Sequence, residues 1–170
     1  MTKILVLDQA TSTGVSIFET NEEGFELLWH CCIKVKGNSM VEKMFSLCDH
    51  IEEIIKEEKI DLIILEDVQK QVNQKTFGDL NKLMGGLLEV AHKHCVFYEV
   101  VHSSTWRKGL GIKGKKREEL KSASKQYVLD RYGIDVSDDV ITIEEAKAEI
   151  MNYFAKLARE QKERQVKRRD

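Results

Sequence analysis

Short apolar runs closed by an acid mark the first third of the chain. Ile4-Leu5-Val6-Leu7 ends at Asp8, and Leu62-Ile63-Ile64-Leu65 ends at Glu66. Apolar runs of this length bounded by polar residues read as inner strands, which predicts one strand over residues 3 to 8 and another ending at Glu66. Thr11 to Gly14 reads as a turn in which Gly14 is free to take a positive φ, and Val15 to Phe18 as a strand returning antiparallel to the first. Phe25 to Val35 forms the third strand. Met40, Met44, Leu47, Cys48, Ile51, Ile54 and Ile55 then recur at helical spacing, so a long amphipathic helix leads into the Glu66 strand.

The second half follows the same logic. Lys75 to His94 places Leu80, Leu83, Met84, Leu87, Leu88 and Ala91 on one side of a helix with Gly85-Gly86 at its middle. Two helical glycines cost roughly 1 kcal/mol each relative to alanine, which points to a close packing partner or a ligand near the backbone. Phe97 to Val101 is a fifth strand, Lys115 to Tyr132 a helix ending at Gly133, and Thr142 with Glu145 a capping box that opens a last helix running to about Arg164. The chain has no proline, no repeat and no low-complexity linker. It therefore reads as one domain over residues 1–160, followed by a basic tail over 161–170.

Composition narrows the class. A chain of 170 residues, 42% hydrophobic and 33% charged, is large enough to bury roughly two thirds of its unfolded surface in one core. It contains no apolar stretch near the roughly 20 residues needed to cross a bilayer and opens with no basic-then-apolar leader, which predicts a cytoplasmic protein without membrane contact. Cys31, Cys32, Cys48 and Cys95 form no CxxC pair, so they are expected as reduced core thiols. The formal net charge of −2 hides a partition: Ser103 to Arg131 holds nine Lys/Arg against three acids, while Asp135 to Glu149 holds six acids and one lysine. A basic stripe beside an acidic pocket suits a metal-dependent enzyme acting on a polyanion.

Asp8 and Glu66 carry the candidate chemistry. An unpaired charge at the end of a core strand is costly, so such acids are expected to hold a cation. The competing readings are that Asp8 caps the Thr11-Ser12-Thr13 turn and that Glu66 pairs with a lysine.

The segments ILVLDQATSTGVSIF, DLIILEDVQ, HSSTWRKGLGIKGKKREELK and YGIDVSDD together resemble the RuvC-type Holliday junction resolvases, particularly their phage-encoded branch. The resemblance spans nearly the whole chain. It implies an α/β protein of RNase H-like fold: a mixed five-stranded sheet, three antiparallel strands plus two parallel, flanked by α-helices. It further implies a homodimer that cleaves four-way DNA junctions with Mg²⁺ or Mn²⁺ and needs no nucleotide cofactor, located in the cytoplasm of a bacterial host if phage-encoded. Two hard ions roughly 4 Å apart can activate a water and stabilise the leaving 3′ oxygen of a phosphodiester. Asp8 is then the expected bridging ligand and Glu66 a ligand of one ion.

The family's remaining acids form a DxxD-type pair on the last helix, and here the sequence departs. An ungapped alignment makes Asp139 the first member and Thr142 the second, which cannot act as a carboxylate; a short insertion would place Glu144 and Lys147 there. Glu145 and Glu149, on one helix face by i,i+4 spacing, are the preferred catalytic and metal-binding pair, with Asp139 in reserve. Against this, Glu145 can be merely the capping-box partner.

DNA binding is assigned to Arg107, Lys108, Lys113, Lys115, Lys116, Arg117, Lys121 and Lys125, which can track phosphates without reading sequence. Gly109, Gly111 and Gly114 keep that loop mobile and let its amides approach phosphates, and Trp106 either stacks on a base or belongs to the core. Gln69, Lys70, Gln71 and Asn73 replace the aromatic wedge of bacterial relatives, which suggests activity on forks and flaps as well as four-way junctions. The helix from Lys75 to His94 is a candidate dimer interface, with burial against its own sheet as the alternative. Actin-like ATPases and sugar kinases share the fold, but 170 residues are too few for their two lobes. The remaining alternative is a non-catalytic branched-DNA binder with a degenerate active site.

Overall fold

The computed structural model describes residues 1–21, 24–69, 73–104, 111–114 and 116–133. Five strands form one mixed sheet in the order β3-β2-β1-β4-β5. They are β1 (Lys3–Asp8), β2 (Ser12–Asn21), β3 (Gly24–Lys34), β4 (Leu62–Glu66) and β5 (Phe97–Val101). The first three pair antiparallel, while β4 runs parallel to β1 and β5 parallel to β4. Helix α1 (Met40–Glu58) crosses from β3 to β4, α2 (Gln74–Lys93) from β4 to β5, and α3 (Arg117–Tyr132) follows β5. The helix expected after Thr142 and the basic tail lie outside the described residues.

The apolar runs are strands because both faces of the central sheet are covered. Leu5, Leu7, Val15, Ile17, Ile63 and Leu65 face α1 and α2, meeting Leu47, Ile51 and Ile55 from the first helix and Leu83, Leu87, Val90 and Ala91 from the second. Ile4, Val6, Leu62 and Ile64 point the other way, onto Val128, Leu120, Ala123 and Tyr127 of α3. The apolar side of α2 is therefore taken up by its own core.

The turn after β1 differs from the sequence reading. Gly14 sits within β2, opposite Asp8 and Cys32, and the positive-φ glycines among the described residues are Gly37, Gly111 and Gly133. Thr13 closes the turn instead: its buried hydroxyl donates to the Ala10 carbonyl at 2.6 Å and accepts the Ala10 N–H at 3.2 Å. A hydroxyl that satisfies both backbone groups of one residue removes the need for a left-handed glycine.

Helix ends follow their capping chemistry. Ser39 Oγ accepts the Glu42 N–H at 3.2 Å, and Asn73 Oδ1 accepts the Lys75 and Thr76 N–H groups at 2.9 and 3.3 Å. Gly133 ends α3 in the left-handed region at φ 70°, as the sequence predicted. All four cysteines are free thiols. They are not all core residues, however, since Cys95 is exposed and the other three are half-buried. Burial, then the charges of Asp49 and Glu52, pushes the Cys48 thiol pKa up.

The two central glycines of α2 have different reasons. A Cβ on Gly86 would lie 2.9 Å from both Cys48 Sγ and Met44 Cγ of α1, whereas one on Gly85 would meet nothing within 4 Å. Gly86 thus sets the approach of the two helices. Their far ends are tied by Glu52, whose carboxylate accepts Lys56 Nζ at 2.6 Å and Lys93 Nζ at 3.0 Å and stands 3.1 Å from His94 Nε2. Hydrogen bonds from Lys56 and then Lys93 hold its pKa at about 2.

Opposite outcomes are expected for the adjacent glycines. Gly85→Ala should raise stability by roughly 1 kcal/mol through helix propensity, and Gly86→Ala should lower it by about 1 kcal/mol or more through overpacking, as read by urea midpoints. Because the folded pKa of Glu52 is depressed, its contribution is complete above the ordinary carboxylate pKa and fades as pH falls from about 4.5 toward 2. The stability difference between the native chain and Glu52→Gln should shrink over that window in pH-dependent denaturation.

Candidate metal and nucleic-acid site

The register of β1 on β4 builds the site. Ile4 pairs with Leu62 and Leu7 with Leu65, so Asp8 and Glu66 occupy matching positions one step further on. Side chains alternate along strands, and Ile4, Val6, Leu62 and Ile64 belong to the α3 face. Asp8 and Glu66 continue those two rows. The carboxylates thus stand side by side at the carboxyl ends of adjacent parallel strands, roughly 5 Å apart at the backbone, a location where open α/β sheets bind ligands. Asp8 is 8% exposed and Glu66 half-buried.

Neighbouring groups tie the strand ends together. Gln9, 5% exposed, donates its Nε2 hydrogen bond to the backbone carbonyl of Glu66. The Asp67 N–H reaches the Val101 carbonyl at 3.0 Å, and Gln69 Nε2 donates to the buried Ser103 Oγ. His102 follows β5 at the same end, and its Nδ1 accepts the Ser104 N–H at 3.3 Å. Sequence reasoning singled out neither Gln9 nor Ser103. The signal for Gln9 was its place directly after a strand-end acid.

The basic segment lies toward this end of the sheet. Tyr132, in the last turn of α3, meets Phe18 edge-on with ring centroids 6.1 Å apart, and Phe18 pairs with Ile4 near the start of β1. Since the far end of α3 sits at the start of β1, its first turn lies toward the carboxylates. Exposed Lys113 and Lys116 precede that turn, while Lys121 and Lys125 are half-buried along the helix. Ile112, buried at 9% exposure in the α3-side core, pins the segment to the domain. Gly111 takes φ 69° and is a turn residue. Gly114 is a close-packing glycine, because a Cβ there would come within 3.0 Å of Glu119 Cβ and the Leu120 nitrogen. That contact, not freedom of the loop, explains it. Arg117 opens α3.

Trp106, Arg107, Lys108, Gly109 and Lys115 lie outside the described residues, as do Asp139, Glu145 and Glu149. Lys70 and Gln71 do also. Among the described residues, no group of three or more His, Cys, Asp or Glu side chains is placed to hold a metal. The pair itself still fits a hard cation. Two carboxylates supply oxygen donors of the kind Mg²⁺ prefers, and Gln9 Oε1 is a buried acceptor that no described residue satisfies.

The sheet order with two strand-end acids on one face defines an α/β protein of RNase H-like fold. Three solved structures share it at identities that establish the fold alone. Thermus thermophilus RuvC superposes with a TM-score of 0.71 at 13% identity, covering 92% of this chain and 96% of that one. T. thermophilus RuvC in complex with a Holliday junction substrate gives 0.70 at 11%, covering 88% and 89%. The yeast mitochondrial Holliday junction resolvase gives 0.63 at 11%, covering 88% and 75%.

The model of the family described as crossover junction endodeoxyribonuclease RuvC matches residues 4–131, and the chain belongs to that family. Among curated relatives, RuvC of Campylobacter curvus is 31% identical and that of Campylobacter concisus 32% identical, each over 99 residues. That stretch is 57% of this chain and 63% of each relative, so the chain spans less than two thirds of their length. Among the described residues, no helix is long and apolar enough to cross a membrane.

Two neighbouring carboxylates offer a hard cation more oxygen donors than one. Added Mn²⁺ should therefore raise the melting temperature of the native chain more than that of Asp8→Asn, as measured by calorimetric melting.

Proposed function

We propose that this chain is a metal-dependent endodeoxyribonuclease that resolves Holliday junctions by paired nicking and also cuts other branched DNA such as forks and flaps. The observation that carries the reading is the matched placement of Asp8 and Glu66 on adjacent parallel strand ends of a RuvC-family sheet. These two acids would hold Mg²⁺ or Mn²⁺ together with Glu145 and Glu149, with Asp139 in reserve. When bound, such ions supply an activated water and neutralise charge on the leaving oxygen.

The protein's own groups would position the substrate. Lys113, Lys116, Lys121 and Lys125, with Arg107, Lys115 and Arg117, would contact phosphates along the arms, giving affinity that falls steeply with salt. Polar Gln69 and Asn73, which follow Glu66 in the chain in place of an aromatic wedge, would favour several branch geometries over one. Symmetric nicking calls for a homodimer. Because the apolar side of α2 is already buried, pairing through that helix would use its exposed residues, among them Asn81, Lys82, Gly85 and Glu89.

The deciding experiment offers a mobile four-way junction, a fork and a linear duplex to the purified chain with Mg²⁺. Both branched substrates should be nicked and the duplex spared, and Asp8→Asn should abolish nicking while retaining junction binding. Cleavage confined to the four-way junction would remove the broader specificity. Binding with no nicking by the native chain would leave a branched-DNA binder.

A further inference from the structure

We infer that Gln9 is a positioning residue that holds the Asp8–Glu66 pair in the spacing a hydrated divalent ion needs. The inference rests on reading that pair as the metal centre, and it adds a role for a residue that is not itself a ligand. Three observations converge on it. Gln9 directly follows Asp8 in the chain, so its backbone fixes where β1 ends. Its Nε2 donates to the Glu66 carbonyl, one step past the Leu7–Leu65 pair, and so braces two strand ends that carry like charges. Its Oε1 is buried and receives no hydrogen bond from the described residues.

An amide suits this place because its two ends do different work. The donor end locks the backbone that presents Glu66, while the acceptor end offers an oxygen to a water of the ion's hydration shell. Mg²⁺ keeps several waters when protein-bound, and groups that orient such a shell commonly change metal affinity by about 10- to 100-fold. A carboxylate at position 9 would lack the donor, and a shorter amide would not span from β1 to the Glu66 carbonyl.

Gln9→Met preserves length and volume while removing both functions. Titrated calorimetrically with Mn²⁺ in the absence of DNA, it should bind the ion about 10-fold more weakly than the native chain. The Mg²⁺ concentration giving half-maximal nicking should rise in parallel, with junction binding in EDTA unchanged. Gln9→Asn, which keeps the amide but shortens its reach, serves as the second variant should Gln9→Met fail to fold. Native Mn²⁺ affinity in either folded variant overturns the inference. Asp8→Asn run alongside separates the two levels: if it too binds Mn²⁺ like the native chain, the metal-centre reading falls and takes this inference with it. If Asp8→Asn loses the ion while Gln9→Met keeps it, only the role of Gln9 is wrong.

Discussion

The parallel, in-register pairing of β1 with β4 is the constraint on which the other features depend. It is enforced from both faces, since Leu5, Leu7, Ile63 and Leu65 are sealed under α1 and α2 while Ile4, Val6, Leu62 and Ile64 lie under α3. A slip of one residue would turn every side chain of one strand to the opposite face. Leu65 would then take the place of Glu66 beside Asp8, and four buried apolar residues would exchange cores. The packing that holds the fold together therefore also specifies which acids meet. Strand packing brings residues 8 and 66 together across a hairpin, a third strand and a 19-residue helix, and the Gln9 hydrogen bond to the Glu66 carbonyl is left only their final spacing to set.

The strand-end acids and the acid between the helices occupy different settings. Glu52 is surrounded by Lys56, Lys93 and His94 and is held ionised by the protein's own donors. Its chemistry is finished within the fold. Asp8 and Glu66 instead close adjacent parallel strands, where, on the proposed function, they would hold a divalent cation. The same logic separates the glycines. Gly86 serves the contact between α1 and α2, and Gly114 the close approach of the basic segment to α3.

Much of the fold was legible because the apolar runs are short and sharply bounded. β5 falls on the expected residues, and α1, α2 and α3 within three residues of theirs at either end. Gly133 as a helix stop was also legible, since the left-handed conformation after a helix has few alternatives to glycine. The turn after β1 was misread because composition shows that Gly14 could take a positive φ but not that Thr13 makes it unnecessary. Gly114 was misread in the same way: mobility and tight packing select the same residue, and only the neighbours distinguish them. The strand-end placement of Asp8 and Glu66 was legible because a charge closing a core strand is conspicuous. Gln9 was not, because a buried glutamine has no periodicity and its partner is a backbone carbonyl 57 positions away.

Charge distribution bears on the proposed DNA substrate more directly than net charge does. A formal net charge of −2 would by itself disfavour a polyanionic partner. Yet α3 runs back along the sheet so that Lys113 and Lys116 lie toward the end bearing Asp8 and Glu66. Field lines from a basic segment decay over about a Debye length, roughly 8 Å at physiological salt, so a phosphate held there feels the lysines and the acid pair but little of the distant surface. On the proposed function, phosphate affinity and cation affinity would then reinforce each other. Asp8 and Glu66 would, on that same reading, hold a cation whose charge offsets their repulsion of a phosphate backbone. On this account the acids and the lysines must be neighbours, and the anchoring of Ile112 in the α3-side core, which keeps Lys113 toward the carboxylates, is as much a part of the site as the charges themselves.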